Sequence, residues 1–92
     1  MSYVLTYTKE AEKNFVSIFD YIAQDNPSKA IEYTENLKTR IDRLIESPRI
    51  GKIKDGSDTE RIFVVDKYKV HYRIIEKKKV VLIRYIKHER QR

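Results

Sequence analysis

The 92-residue chain contains no cysteine and no tryptophan, and only two glycines and two prolines. Absence of cysteine excludes disulfides, Cys-ligated zinc, iron–sulfur clusters and thiol catalysis together. Such a chain suits a reducing cytoplasm. No apolar run approaches the roughly 20 residues that span a bilayer. Met1-Ser2-Tyr3-Val4-Leu5 has no basic segment leading into a long apolar one, so neither a membrane partner nor a signal peptide is expected. With so few breakpoints there is no repeat, no low-complexity tract and no internal linker. Residues 1–92 read as one small domain. A domain of this size has little room for a deep pocket, so a surface function is expected and no cofactor.

What is abundant is positive charge, and it is segregated. From residue 52 onward there are thirteen Lys/Arg against six Asp/Glu, whereas residues 1–51 hold seven against eight. The whole formal excess of +6 therefore belongs to the second half. An evenly solvated surface intersperses its signs, so this segregation points to a polyanionic partner.

The hydrophobic pattern predicts β-α-α-β-β-β. Tyr3 to Tyr7 is rich in aromatic and β-branched residues and suits a first strand. Thr8 caps a helix whose stripe is Ala11, Phe15, Ile18, Phe19 and Ile22, ending near Gln24. Asn26 and Pro27 cap and open a second helix carrying Ala30, Thr34, Leu37, Ile41 and Leu44, widened by Ile31 and Ile45. That helix ends at Ser47-Pro48, because proline disfavours the α conformation of its predecessor. Residues 49–60 read as the one real loop. Ile62 to Val65 turns at Asp66-Lys67 into Tyr68 to Ile75, and Val80 to Ile86 is an apolar strand suited to the centre of the sheet. Strand alternation puts Lys69, His71 and Arg73 on one face and Tyr68, Val70, Tyr72 and Ile74 on the other. The fold class is α+β: a helical hairpin packed on a small, mostly antiparallel sheet.

Several stretches in this order resemble the RelE/ParE superfamily of toxins from bacterial type II toxin–antitoxin modules, with the ParE-like branch favoured. Glu46-Ser47-Pro48-Arg49-Ile50-Gly51 resembles the family's helix exit. Arg61 to Arg73 is similar to its R-x-hydrophobic … Y-x-hydrophobic-x-Y-R hairpin. Ile86-Lys87-His88-Glu89-Arg90-Gln91 is similar to the H-x-R-(Q/D) ending of the ParE-like branch. The resemblance implies a toxin neutralised by a cognate acidic antitoxin, in a toxin–antitoxin hetero-oligomer. ParE-like members inhibit DNA gyrase without chemistry on nucleic acid, whereas RelE-like members cut mRNA in the ribosome. A basic nucleic-acid-binding module without toxicity fits the charge alone equally well.

Metal-free RNA cleavage requires activation of the 2′-hydroxyl, stabilisation of charge on phosphorus and protonation of the leaving oxygen. In a RelE-like reading His88 supplies the acid or base, with Arg61, Lys69 and Arg73 clamping phosphate. The plainer alternatives are a hydrogen-bonding His88 in a ParE-like tail, and ion pairs between Lys69 or Arg73 and Asp66 or Glu60. Where RelE-like nucleases carry Arg and Lys, this chain has Lys69 and Phe63, and it offers no tyrosine after Arg90. These departures favour binding over catalysis. The residues expected to contact target or antitoxin are Arg84, Tyr85, Lys87, Arg90 and Arg92. Tyr72 is expected in the core, Tyr85 in the core or at its edge, and His71 on an exposed strand face. Two histidines without suitably spaced acids make no metal site.

Overall fold

The computed structural model describes residues 2–90. A first strand, β1 (Val4–Tyr7), leads into α1 (Lys9–Ala23) and α2 (Pro27–Ile41), and a 3-10 turn over Asp42–Ile45 tightens the exit of α2. Four strands follow: β2 (Lys52–Ile53), β3 (Glu60–Val65), β4 (Tyr68–Ile75) and β5 (Val80–His88). They form one sheet in the order β1-β5-β4-β3-β2. β1 runs parallel to β5 and the other pairs are antiparallel. The expected architecture holds with one addition, since Lys52 and Ile53 leave the loop to pair with Ile62 and Arg61. The middle position belongs to β4, and β5 lies beside it as an interior strand.

Both helices start where their caps dictate. The Thr8 hydroxyl accepts from the Ala11 N–H at 3.0 Å, and Asn26 Oδ1 accepts from the Lys29 N–H at 3.0 Å, with Pro27 at the first helical position. Each cap satisfies a backbone donor that has no intrahelical acceptor. Ala11, Ile18, Leu37, Ile41 and Leu44 then bury one face of the hairpin against Val65, Tyr68, Val70, Tyr72, Val81, Ile83 and Ile86 of the sheet. Ile31 does not widen this stripe as expected and is 51% exposed. One residue beyond buried Ala30, it is rotated about 100° around the helix axis, out of the contact.

The sheet is covered on one face only. Core-facing Val70 and Ile86 stand opposite each other, as do Tyr68 and His88. On the outer face Lys69 stands opposite Lys87, His71 opposite Tyr85, and Arg73 opposite Glu60 and Leu82. Between His71–Tyr85 and Tyr72–Ile83 the register shifts, leaving Arg84 as an extra residue in β5. This β-bulge re-aims the side chains around it. α1 satisfies its exposed backbone: Thr8 Oγ1 donates to the Arg84 carbonyl at 2.5 Å, and the Ile86 N–H donates to Asn14 Oδ1 at 2.8 Å.

Among the described residues one buried hydroxyl, that of Tyr7, has no hydrogen-bond partner. Burial, and secondarily the Asp42 charge, push its pKa above the ordinary tyrosine value. Tyr7→Phe removes this desolvated group and keeps the edge-on packing against Phe15. The variant is expected to gain about 1 kcal/mol, read as a thermal midpoint about 4–8 °C higher.

Candidate functional site

The helix exit and the β3–β4 hairpin are tied together by two side chains. Tyr72 is fully buried; its hydroxyl donates to the Pro48 carbonyl at 2.6 Å and accepts from the Gly51 N–H at 2.9 Å. Arg61 donates to the Gly51 carbonyl at 2.8 Å and to the Arg49 carbonyl at 3.4 Å. Glycine is required at position 51 because a Cβ there would lie 2.6 Å from the Tyr72 hydroxyl and 2.8 Å from the Ile62 carbonyl. The guanidinium of Arg61 is thus committed to holding a turn.

His88 lies elsewhere. Opposite Tyr68, it faces the helices and lines a cleft of about 780 Å³ between the helical hairpin, the Asp66-Lys67 turn and the end of β5. Its ring meets Tyr68 edge-on at 5.2 Å, and its Nδ1 accepts from the Arg90 N–H at 3.1 Å. Tyr33 donates to Asp66 Oδ2 at 2.7 Å across the same cleft. Burial first, then the Asp66 hydrogen bond, raise the Tyr33 pKa. Burial, with Tyr21 and Asp66, raises that of Tyr68. Neither tyrosine offers a phenolate base at neutral pH. Lys29, Lys67 and Arg90 bring positive charge to the cleft lining.

The outer face carries the most organised electrostatics. Glu60, whose side chain is 5% exposed, gathers ligands from the loop, β4 and β5. Lys54 Nζ and His71 Nδ1 approach Oε2 at 3.3 Å, and Arg84 pairs with Oε1. The Tyr85 hydroxyl also donates to Oε2, at 3.3 Å. Burial alone raises a carboxyl pKa. Here hydrogen bonds from His71, Arg84 and Lys54, with the Arg84 charge, more than offset it and pull Glu60 down to about 2. Burial also lowers the His71 pKa, more than Glu60 raises it. At pH 7 the ring is therefore neutral and donates through Nδ1–H. His71 is buried, contrary to its expected exposure, because Tyr85 stacks on it at 4.3 Å. Lys87 and Arg84 lie over the Tyr85 ring at 5.4 and 5.8 Å.

The four residues of the nuclease reading are thus divided. Lys69 and Arg73 stand exposed on the outer face, His88 faces the helical cleft, and Arg61 is bound into the turn. Of the other expected contact residues, Arg84, Tyr85 and Lys87 share the outer face near Glu60, and Arg90 lines the cleft. Arg92 lies outside the described residues. From sequence, the carboxylate that organises the outer face is expected only as an ion-pair partner for Lys69 or Arg73. Its partners are instead His71, Arg84 and Lys54. Asp66, the other acid expected to pair with these cations, accepts from Tyr33. Among the described residues no cluster of three or more His, Asp or Glu could hold a metal ion, and no helix is long and apolar enough to cross a membrane.

The profile of the ParE toxin of the type II toxin–antitoxin system parDE matches residues 5–92. The chain belongs to this toxin family. No curated protein matches its sequence. Among solved structures, the chromosomal ParDE system of P. aeruginosa superposes with a TM-score of 0.80 at 17% identity, covering 95% of this chain and 96% of that one. The intact RelBE toxin–antitoxin complex of E. coli gives 0.69 at 22% identity, covering 98% and 100%. The isolated E. coli RelE toxin gives 0.70 at 22%, covering 99% and 88%. At these identities the likeness establishes the shared fold, and the toxin assignment comes from the family match. This ParE-family toxin carries cationic residues on both sides of its sheet.

Proposed function

We propose that this ParE-family toxin acts in the cytoplasm by binding DNA gyrase and blocking it, with no chemistry on nucleic acid, and that a cognate acidic antitoxin neutralises it. The observation that carries this reading is the division of His88, Arg61, Lys69 and Arg73 between a cleft, a turn and the opposite sheet face. Cleavage of one phosphodiester requires base, clamp and acid within hydrogen-bond reach of a single substrate. Binding imposes no such convergence.

The basic sheet face and C-terminal tail bind the antitoxin's acidic, partly disordered segment, which folds on binding across the groove between helices and sheet. Tyr33, Tyr68 and Ile86 give that groove an apolar lining, and Lys29, Lys67 and Arg90 give it charge. Arg84, Tyr85 and Lys87 extend the contact surface to target or antitoxin, and Arg92, outside the described residues, is assigned the same role from sequence.

Purified protein added in parallel to a gyrase supercoiling assay and to translating ribosomes tests the reading. The expected result is inhibited supercoiling with intact mRNA, relieved by the acidic protein of the neighbouring reading frame. Codon-dependent mRNA cuts with unaffected supercoiling would replace it with the RelE-like reading. Silence in both assays would leave a basic binding module without toxicity.

A further inference from the structure

Helix α1 turns Ala11 and Ile18 into the core, and its opposite side faces away from the sheet. Along that outer side Lys9, Lys13, Val16, Asp20 and Ala23 recur at spacings of four, three, four and three, the pattern of a helix–helix contact stripe. The first four are exposed, Val16 by 59%. A lone exposed valine is ordinary. The charges beside it are not. Lys9 opens the helix and Asp20 lies in its last turn, each with the sign that the helix dipole disfavours. Lys13 stands one turn from Lys9, a like-charge spacing that destabilises an isolated helix. Among the described residues none of the three takes part in a salt bridge. The outer side of α1 thus presents, in order, a cationic half, a valine and an anionic end.

We propose that this stripe docks the α1 helix of a second copy of this chain, in an antiparallel two-fold dimer. Antiparallel pairing about an axis between Val16 and Ser17 puts Lys13 level with the partner's Asp20, and Asp20 level with the partner's Lys13. Each ion pair lies about 5 Å along the helix from the axis. Val16 meets the partner's Val16 at the centre, beside a shallow depression lined by Lys9, Glu12, Lys13, Val16 and Ser17. The opposed dipoles also suit the charges, because each Asp20 comes to the N-terminal half of the facing helix. Parallel pairing would instead set Lys13 against Lys13 and Asp20 against Asp20. The order of signs therefore selects both the occupant and its direction. Asp20 repels an acidic partner, Lys9 and Lys13 repel a basic one, and a second copy meets neither obstacle. One pair of helices about 22 Å long is a small interface, so the dimer is weak, with a dissociation constant on the order of 10–100 μM. The outer sheet face stays open, and of the cleft residues only Ser17 borders the contact. The dimer does not depend on the toxin's target.

Sedimentation equilibrium of the full chain, at low salt and about 0.01–1 mM, tests it. Wild type is expected to pass from monomer to dimer over this range. Lys13→Asp and Asp20→Lys are each expected to weaken the dimer by about tenfold or more, because each change sets two like-charged pairs face to face. Both positions are exposed, and neither change opposes the helix dipole, so each variant stays folded with an unchanged helical circular dichroism signal. An equimolar mixture of the two variants is expected to form a heterodimer within about threefold of wild-type affinity. There each reversed charge meets its opposite in the other chain. Wild type that stays monomeric at about 1 mM overturns the proposal. Undiminished dimerisation of either folded single variant also overturns it, and moves the contact to another face. A mixture that stays monomeric while wild type dimerises overturns the antiparallel pairing of Lys13 with Asp20.

Discussion

Gly51→Ala is expected to lower stability by about 2–4 kcal/mol, measured as a fall in urea midpoint at unchanged slope. The added Cβ would sit 2.6 Å from the Tyr72 hydroxyl and 2.8 Å from the backbone carbonyl of Ile62. Neither neighbour yields cheaply. Tyr72 is fully buried and hydrogen-bonded to Pro48 and Gly51, and the carbonyl belongs to β3 next to its pairing with β2. Relief requires shifting the turn, which lengthens both tyrosine hydrogen bonds and the Arg61 contact. Overpacking of this kind costs about 1–3 kcal/mol, and weakened buried hydrogen bonds add about 1 kcal/mol. A midpoint within 0.2 M of wild type, on the order of 0.4 kcal/mol at a typical urea slope, would show that the turn is looser than this packing implies.

Glu60→Ala carries the second large effect, a loss of about 2–3 kcal/mol. Removing one partner of a fully enclosed ion pair costs about 3–5 kcal/mol. Here the stranded Arg84 and Lys54 side chains are 38% and 42% exposed and can turn to water, which reduces the loss. His71, only 8% exposed, cannot follow them and keeps a buried donor without its carboxylate. The pH dependence has a definite sign. The Glu60 pKa is lowered from 4.5 to about 2 in the folded state, so its contribution is complete above pH 4.5 and disappears as pH falls toward 2. Burial also lowers the His71 pKa below 6.5, so acid opposes folding through that ring as well. Urea midpoints between pH 7 and pH 2 should therefore fall steeply in wild type. They should fall less between pH 4.5 and 2 in Glu60→Ala. Parallel curves would mean that Glu60 titrates alike in folded and unfolded chains.

How much of this was legible depends on which interactions are local. The helical stripes around Ile18 and Leu37 are periodic because each helix buries one face, and a one-dimensional pattern records that. The helix exit and hairpin were also readable, because Pro48, Gly51, Arg61 and Tyr72 sit at characteristic separations. The register of three strands was not. Arg84 becomes a bulge only when β4 and β5 are paired, and that bulge brings it with Tyr85 and His71 onto Glu60. A carboxylate between a loop lysine and a strand arginine carries no such signal in sequence. The apolar run Val80 to Ile86 puts His88 beyond the last strand, whereas β5 continues through it. Pairing with Tyr68 then turns it toward the helices, away from Lys69 and Arg73. β2 is missed for a simpler reason: two residues held by one neighbouring strand have no periodicity to read.

On the proposed reading, the division of His88, Arg61, Lys69 and Arg73 between a cleft, a turn and the outer sheet face suits binding rather than cleavage. His88→Asn isolates that claim, because an asparagine side-chain oxygen can still accept from the Arg90 N–H while losing the acid–base chemistry of imidazole. The decisive measurement compares this variant with wild type in gyrase supercoiling and in ribosome-dependent mRNA cleavage. Gyrase inhibition is expected to be retained within about threefold, on the order of 0.6 kcal/mol, with no mRNA cuts by either protein. Codon-dependent cuts by wild type that vanish in His88→Asn would contradict it.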